Sequence, residues 1–85
     1  MESKVGTITH FFTKASVAVL DLTDEDLLVG NQIHIIGTTT DIRQNVDSMQ
    51  IEGVNISKAS KGQKIGLKVV ARVREGDTVW KKTEG

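Results

Sequence analysis

Residues 59–74, which read Ala-Ser-Lys-Gly-Gln-Lys-Ile-Gly-Leu-Lys-Val-Val-Ala-Arg-Val-Arg, decide the fold class of this 85-residue chain. A glycine turn at Gly62 is followed by strict alternation, the two-residue period of a β-strand with one buried face. The apolar members are Ile65, Leu67, Val69, Ala71 and Val73. The outward members include Lys64, Lys68, Arg72 and Arg74. We therefore predict one strand here, with a core face and a basic face.

The remainder of the chain consists of short strand-like runs separated by glycine turns. Residues 5–12 and 16–22 predict an opening hairpin, and residues 32–37 and 78–80 predict further strands. Between Val46 and Met49 the apolar spacing changes from two to three, which indicates a bulge or bend. No amphipathic helix is predicted. The pattern favours an all-β, antiparallel, closed barrel of six to seven strands, because closure removes exposed sheet edges that this proline-free chain has no proline to protect.

Length and composition predict a single domain over residues 1–85 and restrict its chemistry. The chain has no cysteine, so disulfides and thiolate zinc sites are excluded, and a reducing cytoplasm is the predicted location. The longest apolar runs are only a few residues and no basic-then-apolar leader follows Met1, so neither a membrane span nor a secretion signal is predicted. Eleven basic and eleven acidic residues cancel.

Five phrases occur in a characteristic order: residues 4–8, 29–33, 46–51, 59–67 and 73–79. Together they resemble the second domain of the elongation-factor-Tu class of translation GTPases, a small closed Greek-key-type β-barrel. Gly76-Asp77 matches the turn of that family, whereas Gly30-Asn31 and Gly62-Gln63 keep the glycine and replace the aspartate. The resemblance implies ribosomal RNA or the acceptor end of tRNA as partners.

The same sequence is also similar to the C-terminal barrel of U32-type peptidase-like proteins. Residues 39–41, Thr-Thr-Asp, and residues 49–52, Met-Gln-Ile-Glu, fit that version at least as well. The reactive parts of those proteins lie outside the barrel. This second resemblance therefore implies no catalytic residue.

The residues themselves also predict neither catalysis nor a cofactor. Residues 61–66 lack the spacing and the hydroxyl of a phosphate-binding loop, so no nucleotide is expected. His10 and His34 lie on different predicted strands and are interpreted as ordinary strand histidines, so no metal is expected. Neither Ser48 nor Thr9 has the context that activates a nucleophile.

Two functions from different classes follow. Residues 57–74 carry six basic residues and no acid, so a non-catalytic barrel that binds RNA or a ribonucleoprotein through Lys64, Lys68, Arg72 and Arg74 is the first hypothesis. With three aromatic residues in the chain, that binding would be mostly electrostatic. The alternative is a protein-interaction module, self-associating or an accessory subunit of a U32-type peptidase-like or RNA-modifying enzyme. It would use an apolar rim near Phe11, Phe12 and Ile36. If the basic residues do not bind RNA, their face of the strand is an ordinary solvated surface.

Overall fold

The computed structural model describes residues 1–83 as an all-β chain of ten strands. The strands are β1 (Glu2–Phe12), β2 (Val17–Asp21), β3 (Leu27–Leu28), β4 (Gln32–Ile36), β5 (Asp41–Asn45), β6 (Met49–Ile51), β7 (Val54–Ile56), β8 (Lys58–Ala59), β9 (Lys64–Lys68) and β10 (Thr78–Lys82). The all-β prediction is confirmed. Over residues 1–83 there is no helix that is long and apolar enough to cross a membrane.

Eight strands form one antiparallel sheet in the order β5-β4-β10-β1-β2-β9-β6-β7, and β3 and β8 form a second, two-stranded sheet. The predicted opening hairpin is the β1–β2 pair. Ten short strands replace the six or seven predicted, since irregular residues interrupt the longer runs. β5 and β7 lie at the two edges, and within the described range no backbone ladder joins them. Closure of the barrel therefore stays a prediction.

The long strand β1 bends because its register shifts twice. One shift falls between Lys4 and Gly6 in the pairing with β10, and the other between Ile8 and His10 in the pairing with β2. Gly6 permits the first bend, because a Cβ at this position would overlap the backbone carbonyl oxygen of Asp21. The bend turns β1 from one partner strand to the next and curls the sheet around its core.

The core consists of aliphatic side chains and one methionine, contributed by both sheets and by the connections. Its fully or almost fully buried members are Val5, Ile8, Ala18, Leu20, Leu22, Leu27, Ile33, Ile35, Val46, Met49, Ala59, Ile65, Leu67, Val69, Val73 and Val79. Phe11, Ile42, Ile51 and Ile56 pack against it from partly buried positions. Burial of this apolar surface is the main stabilising contribution in a chain with no disulfide.

The prediction of one strand from Lys64 to Arg74 is wrong beyond Lys68, where β9 ends. Val69 is still buried, but Val70 is 67% exposed, and residues 69–77 are irregular. The backbone N–H of Val70 donates to a side-chain oxygen of Gln44 instead of joining a ladder. The two-residue alternation of the sequence continues beyond the end of β9. Its last apolar member, Val73, is buried in the core although it lies in an irregular segment and not in a strand.

The change in apolar spacing between Val46 and Met49 marks a real interruption. Residues 46–48 lie between β5 and β6 and belong to neither strand. Val46 nevertheless stays in the core, and its N–H donates to the carbonyl oxygen of Asn31. The chain thus bends at the predicted place while its backbone groups keep partners.

Candidate functional site

A cleft of about 470 Å³ opens on the outer face of strands β5, β4, β10 and β1. Register explains its lining: His34 on β4 lies opposite Arg43 on β5, and Glu2 on β1 lies opposite Lys82 on β10. Alternate residues of neighbouring strands share a face, so these four side chains converge. The lining residues are Met1, Glu2, Gln32, Ile33, His34, Arg43, Gln44, Asn45 and Lys82.

His34 is the chemically most informative residue of the cleft. Only 8% of it is exposed, and it lies between two carboxylates on opposite sides of its ring. Its Nε2 is 2.5 Å from Oδ1 of Asp41, while its Nδ1 is 3.3 Å from Oε2 of Glu2. The first contact is a hydrogen bond. The second lacks hydrogen-bond geometry, so the buried Nδ1 has no partner among the described residues.

One ring proton of His34 can be placed from these contacts. An ionised carboxylate can only accept, so the hydrogen bond to Asp41 requires the proton to be on Nε2 of His34. Nδ1 faces an oxygen of Glu2, and a ring protonated at both nitrogens would point an N–H toward it.

Asp41 is held in its charged form by its surroundings. The hydrogen bond from His34 lowers the pKa of Asp41 below its ordinary value of 3.8, and the charges of His34 and Arg43 add to this effect. Desolvation opposes it. The Asp41 carboxylate is therefore a stable acceptor that fixes the orientation of the His34 ring.

The cluster does not have the composition of a hydrolytic centre. Across residues 1–83 no serine or threonine hydroxyl is hydrogen-bonded to His34, so the Asp41–His34 pair has no nucleophile. The same residues contain no group of three His, Cys, Asp or Glu side chains that suits a metal ion. Glu2 and Asp41 contact opposite nitrogens of the ring, so they cannot bind one ion together with it.

Sequence reasoning interpreted His34 as an ordinary strand histidine and missed this cluster. The available signal was the β4–β5 hairpin, because an antiparallel pairing across residues 37–40 brings His34 beside Arg43 and near Asp41. The contribution of Glu2 had no such signal, since it arrives from the far end of the chain through β1 and β10.

His10 lies apart from His34, at a second groove of about 380 Å³. Its ring meets that of Phe12 edge-on, with centroids 4.5 Å apart, and its Nδ1 is 3.5 Å from Oε1 of Glu75. Phe12 is 50% exposed. Arg72 and Arg74 line the same groove.

The four basic residues predicted to form an RNA-binding face do not share one strand. Lys64 and Lys68 stand at the two ends of β9, while Arg72 and Arg74 follow it in the irregular segment. The Nζ of Lys68 donates to the carbonyl oxygen of Ala15, 3.0 Å away. The strand that was expected to align the four side chains ends at Lys68, so an RNA-binding face formed by them stays a prediction.

The apolar rim near Phe11, Phe12 and Ile36 is also divided. Phe11 packs partly buried against the core, whereas Ile36 is 37% exposed. Ile36 lies in register with Thr78, which is in register with Thr7. From Thr7 to Phe12 an extended strand covers about 16 Å. Phe12 and Ile36 therefore do not form one continuous patch.

Comparison with curated proteins shows relatives that are much longer than this chain. The chain is 41% identical over 78 residues to an uncharacterized protease of Methanocaldococcus jannaschii, covering 91% of the chain and 19% of that protease. It is 33% identical over 78 residues to a collagenase of Porphyromonas gingivalis, covering 91% of the chain and 22% of the collagenase. The chain thus spans about a fifth of the length of these relatives. No family model matches it.

Solved structures supply the matching fold. The C-terminal domain of a putative U32 peptidase of Geobacillus thermoleovorans superposes with a TM-score of 0.85 at 15% identity, covering 93% of this chain and 91% of that one. Its selenomethionine variant gives a TM-score of 0.84 at 14% identity and coverages of 91% and 96%. The chain shares its fold with this peptidase domain. The similarity to the C-terminal domain of U32-type proteins is thereby confirmed for the fold, and the resemblance to the translation-factor barrel stays a prediction.

Proposed function

We propose that this chain is a non-catalytic accessory β-domain that binds the catalytic portion of a U32-type peptidase-like protein. The association takes place within one polypeptide or between separate subunits. The proposal rests on the small fraction of each longer relative that this chain matches. One block of 78 residues accounts for 91% of the chain but only 19% of a protease that is 41% identical.

The fold comparison supports a modular role. A domain of the same fold from the C-terminal part of a putative U32 peptidase forms a defined structure of nearly this size, since 96% of that solved chain is covered. In such an arrangement the residues that cleave substrate belong to the remaining four fifths of the longer protein. The lack of a nucleophile beside His34 accords with this division of labour.

The groove lined by His10, Phe11, Arg72 and Arg74 is the surface proposed to contact the catalytic portion, together with Phe12, whose ring packs edge-on against His10. Aromatic and arginine side chains are enriched in the centres of protein interfaces. Here an edge-on aromatic pair, with Phe12 half exposed, adjoins Arg72 and Arg74. The proposed partner of this groove is the part of the longer protein that lies outside the matching segment.

The test is a binding titration between the purified chain and the part of the Methanocaldococcus jannaschii protease outside the matching 78 residues. We expect a complex with a dissociation constant of about 1 μM or tighter in calorimetry. Phe12→Ser should weaken it about tenfold or more. Val54→Ser is the matched control, because Val54 is 64% exposed on the edge strand β7. No heat and no complex at about 100 μM would contradict the proposal.

RNA binding through Lys64, Lys68, Arg72 and Arg74 is the competing proposal. Three observations favour the protein partner. The Lys68 ammonium already donates to Ala15, and the arginines line a groove separate from the one beside Lys68. The relatives carry protease and collagenase names.

We also propose that the curled sheet is a closed barrel. The end of β5 approaches the end of β9, and the Gln44 side chain hydrogen-bonds to the backbone at both Lys68 and Val70. These side-chain bonds stand where a closing ladder would run. They support a barrel that is closed by the side-chain amide of Gln44 and not by a continuous pair of strands.

A further inference from the structure

One edge of strand β1 has no neighbouring strand beyond Ile8. Strand β2 pairs with β1 as far as Phe12, whereas the ladder between β1 and β10 ends at Thr7. The last backbone contacts on the β10 side join Ile8 to Gly76 and Asp77. The end of β1 therefore borders the groove at His10 with an unpaired edge.

The register of β2 shows which backbone groups of β1 point to this edge. At the two ends of β2, Ser16 accepts from, and Leu22 donates to, backbone groups that flank β9. Because backbone groups alternate in direction along a strand, Ala18 also directs its N–H and C=O toward β9. Ala18 is in register with Phe11, so the N–H and C=O of Phe11 point away from β2. Among residues 1–83, none supplies these two groups with a hydrogen-bond partner.

The irregular segment after β9 forms the opposite wall of the groove and has no ladder either. Arg72, Val73 and Arg74 contribute to this wall. Within the described range neither Arg72 nor Val73 makes a backbone hydrogen bond. A slot between two unpaired stretches of backbone suits an extended chain, which adds to a free strand edge through main-chain hydrogen bonds.

We infer that this groove binds an extended segment of the catalytic portion in which apolar and acidic residues alternate. The segment pairs with β1 at Phe11 as an additional strand. The inference deepens the proposed accessory function and rests on it for the source of the segment.

The two sides of the groove explain the alternation. The inner side is apolar, because Phe11 packs against the core and Val73 is buried in it. The outer side carries Arg72 and Arg74, both exposed. Successive side chains of a strand point to opposite faces. A bound strand with apolar side chains toward Phe11 would thus place its other side chains beside the arginines.

The charge of the groove favours an acidic occupant. In the part of the chain that the structure describes, the ion pairs involve histidines and lysines and neither Arg72 nor Arg74. Glu75, the one acid of the lining, lies 3.5 Å from His10. A guanidinium binds a carboxylate through paired hydrogen bonds, so both arginines are available to acidic side chains of the segment.

RNA fits the groove less well than a peptide does. Phosphates would meet the same arginines, but the inner side at Phe11 and Val73 is apolar. An extended peptide also offers an N–H and a C=O together, which is what the free backbone groups of Phe11 require. A single-stranded RNA is accordingly the control that separates the two kinds of partner.

The first measurement follows the backbone amides and arginine side chains of the wild-type chain by NMR. The probe is acetyl-Val-Asp-Val-Asp-Val-amide, and acetyl-Val-Lys-Val-Lys-Val-amide is its control. We expect the acidic peptide at about 5 mM to shift the Phe11 amide and to slow its hydrogen exchange about fivefold, as for a dissociation constant of about 1 mM. The lysine peptide should do neither. The amide of Asn55, on edge strand β7, should be unaffected by both peptides.

The second measurement separates this inference from the accessory function by using the complex with the Methanocaldococcus jannaschii portion. Arg72→Gln combined with Arg74→Gln should weaken that complex about tenfold or more. Arg43→Gln, at the other cleft, should leave it unchanged. A complex that ignores the double variant would overturn the inference and leave the accessory function standing. Peptide binding at Phe11 without any complex would contradict the accessory function and leave the acidic-strand site standing.

Three results of the NMR titration would overturn the inference. The first is the absence of any change at Phe11, and the second is an equal effect of the acidic and the lysine peptide. The third is a uridine decamer that shifts the Arg72 and Arg74 signals when the acidic peptide does not.

Discussion

The side-chain amide of Gln44 takes the place of a neighbouring strand for the backbone around Val70. Its Oε1 accepts from the Val70 N–H at 2.9 Å, and its Nε2 donates to the carbonyl oxygen of Lys68 at 3.0 Å. The two residues are 26 positions apart in the chain. One amide group thus links edge strand β5 to the segment that follows β9.

Loss of the Gln44 amide should destabilise the protein. Gln44→Ala removes both bonds to the segment after β9, as well as a local bond to the carbonyl oxygen of Asn45, and we expect the free energy of unfolding to fall by about 1–2 kcal/mol, as for one or two partly exposed hydrogen bonds. Urea denaturation measures this change. Gln50→Ala is the matched control, since the Gln50 amide donates only to the side chain of Asn55. An equal loss in both variants would show that the bridge contributes nothing of its own.

Gly6 should be intolerant of any side chain. A Cβ there would overlap the carbonyl oxygen of Asp21, and backbone of a neighbouring strand cannot move away without breaking the sheet. We expect Gly6→Ala to cost about 3 kcal/mol or more, measured by thermal unfolding.

Gly66 is the control for this substitution because it also lies in a central strand. Its Cβ would meet a methyl of Val17 at 3.3 Å, and that methyl is the end of a side chain that can shift. Gly66→Ala should change stability by less than about 1 kcal/mol. A similar cost at both positions would contradict the assigned role of Gly6.

Acid should weaken the Asp41–His34 contact in a defined pH range. The hydrogen bond from His34 lowers the pKa of Asp41 in the folded state, so its contribution is complete above the ordinary value of 3.8 and is lost as the pH falls through the folded pKa. Stability measured by urea denaturation should therefore decline below about pH 4 more steeply in the wild type than in Asp41→Asn. Asp47→Asn, on an exposed residue outside the cleft, should retain the wild-type slope. Identical slopes for wild type and Asp41→Asn would contradict the coupling.

The competing RNA hypothesis gives a separate prediction. If the accessory function holds, the purified chain should not co-sediment with ribosomes or bulk tRNA at about 150 mM salt, since its four candidate basic residues do not share one strand and electrostatic binding falls steeply with salt. Lys68→Glu with Arg72→Glu should then change nothing in this assay. Salt-sensitive co-sedimentation that the double reversal abolishes would instead support RNA binding.

Local pattern was sufficient to predict the fold class. Strict alternation from Ile65, glycine at the turns and the break in spacing after Val46 predict antiparallel strands, a bend and a core. These features depend on side-chain direction and backbone sterics within a few residues, which the order of amino acids reveals directly. Residues 39–41 and 49–52 also indicate the U32-type domain, and the solved peptidase domain shares the fold of this chain.

The candidate site depended on contacts between distant parts of the chain. Strand β9 stops at Lys68, and Gln44, from another strand, then binds Val70, so the alternation that predicts a basic face is interrupted. Likewise His34 lies between two carboxylates only because Asp41 and Glu2 arrive on opposite sides of its ring. Residue order alone determined which segments are extended and which side chains are apolar. Tertiary structure decided which polar atoms meet, because strand pairing brings together groups as far apart in sequence as Glu2 and His34.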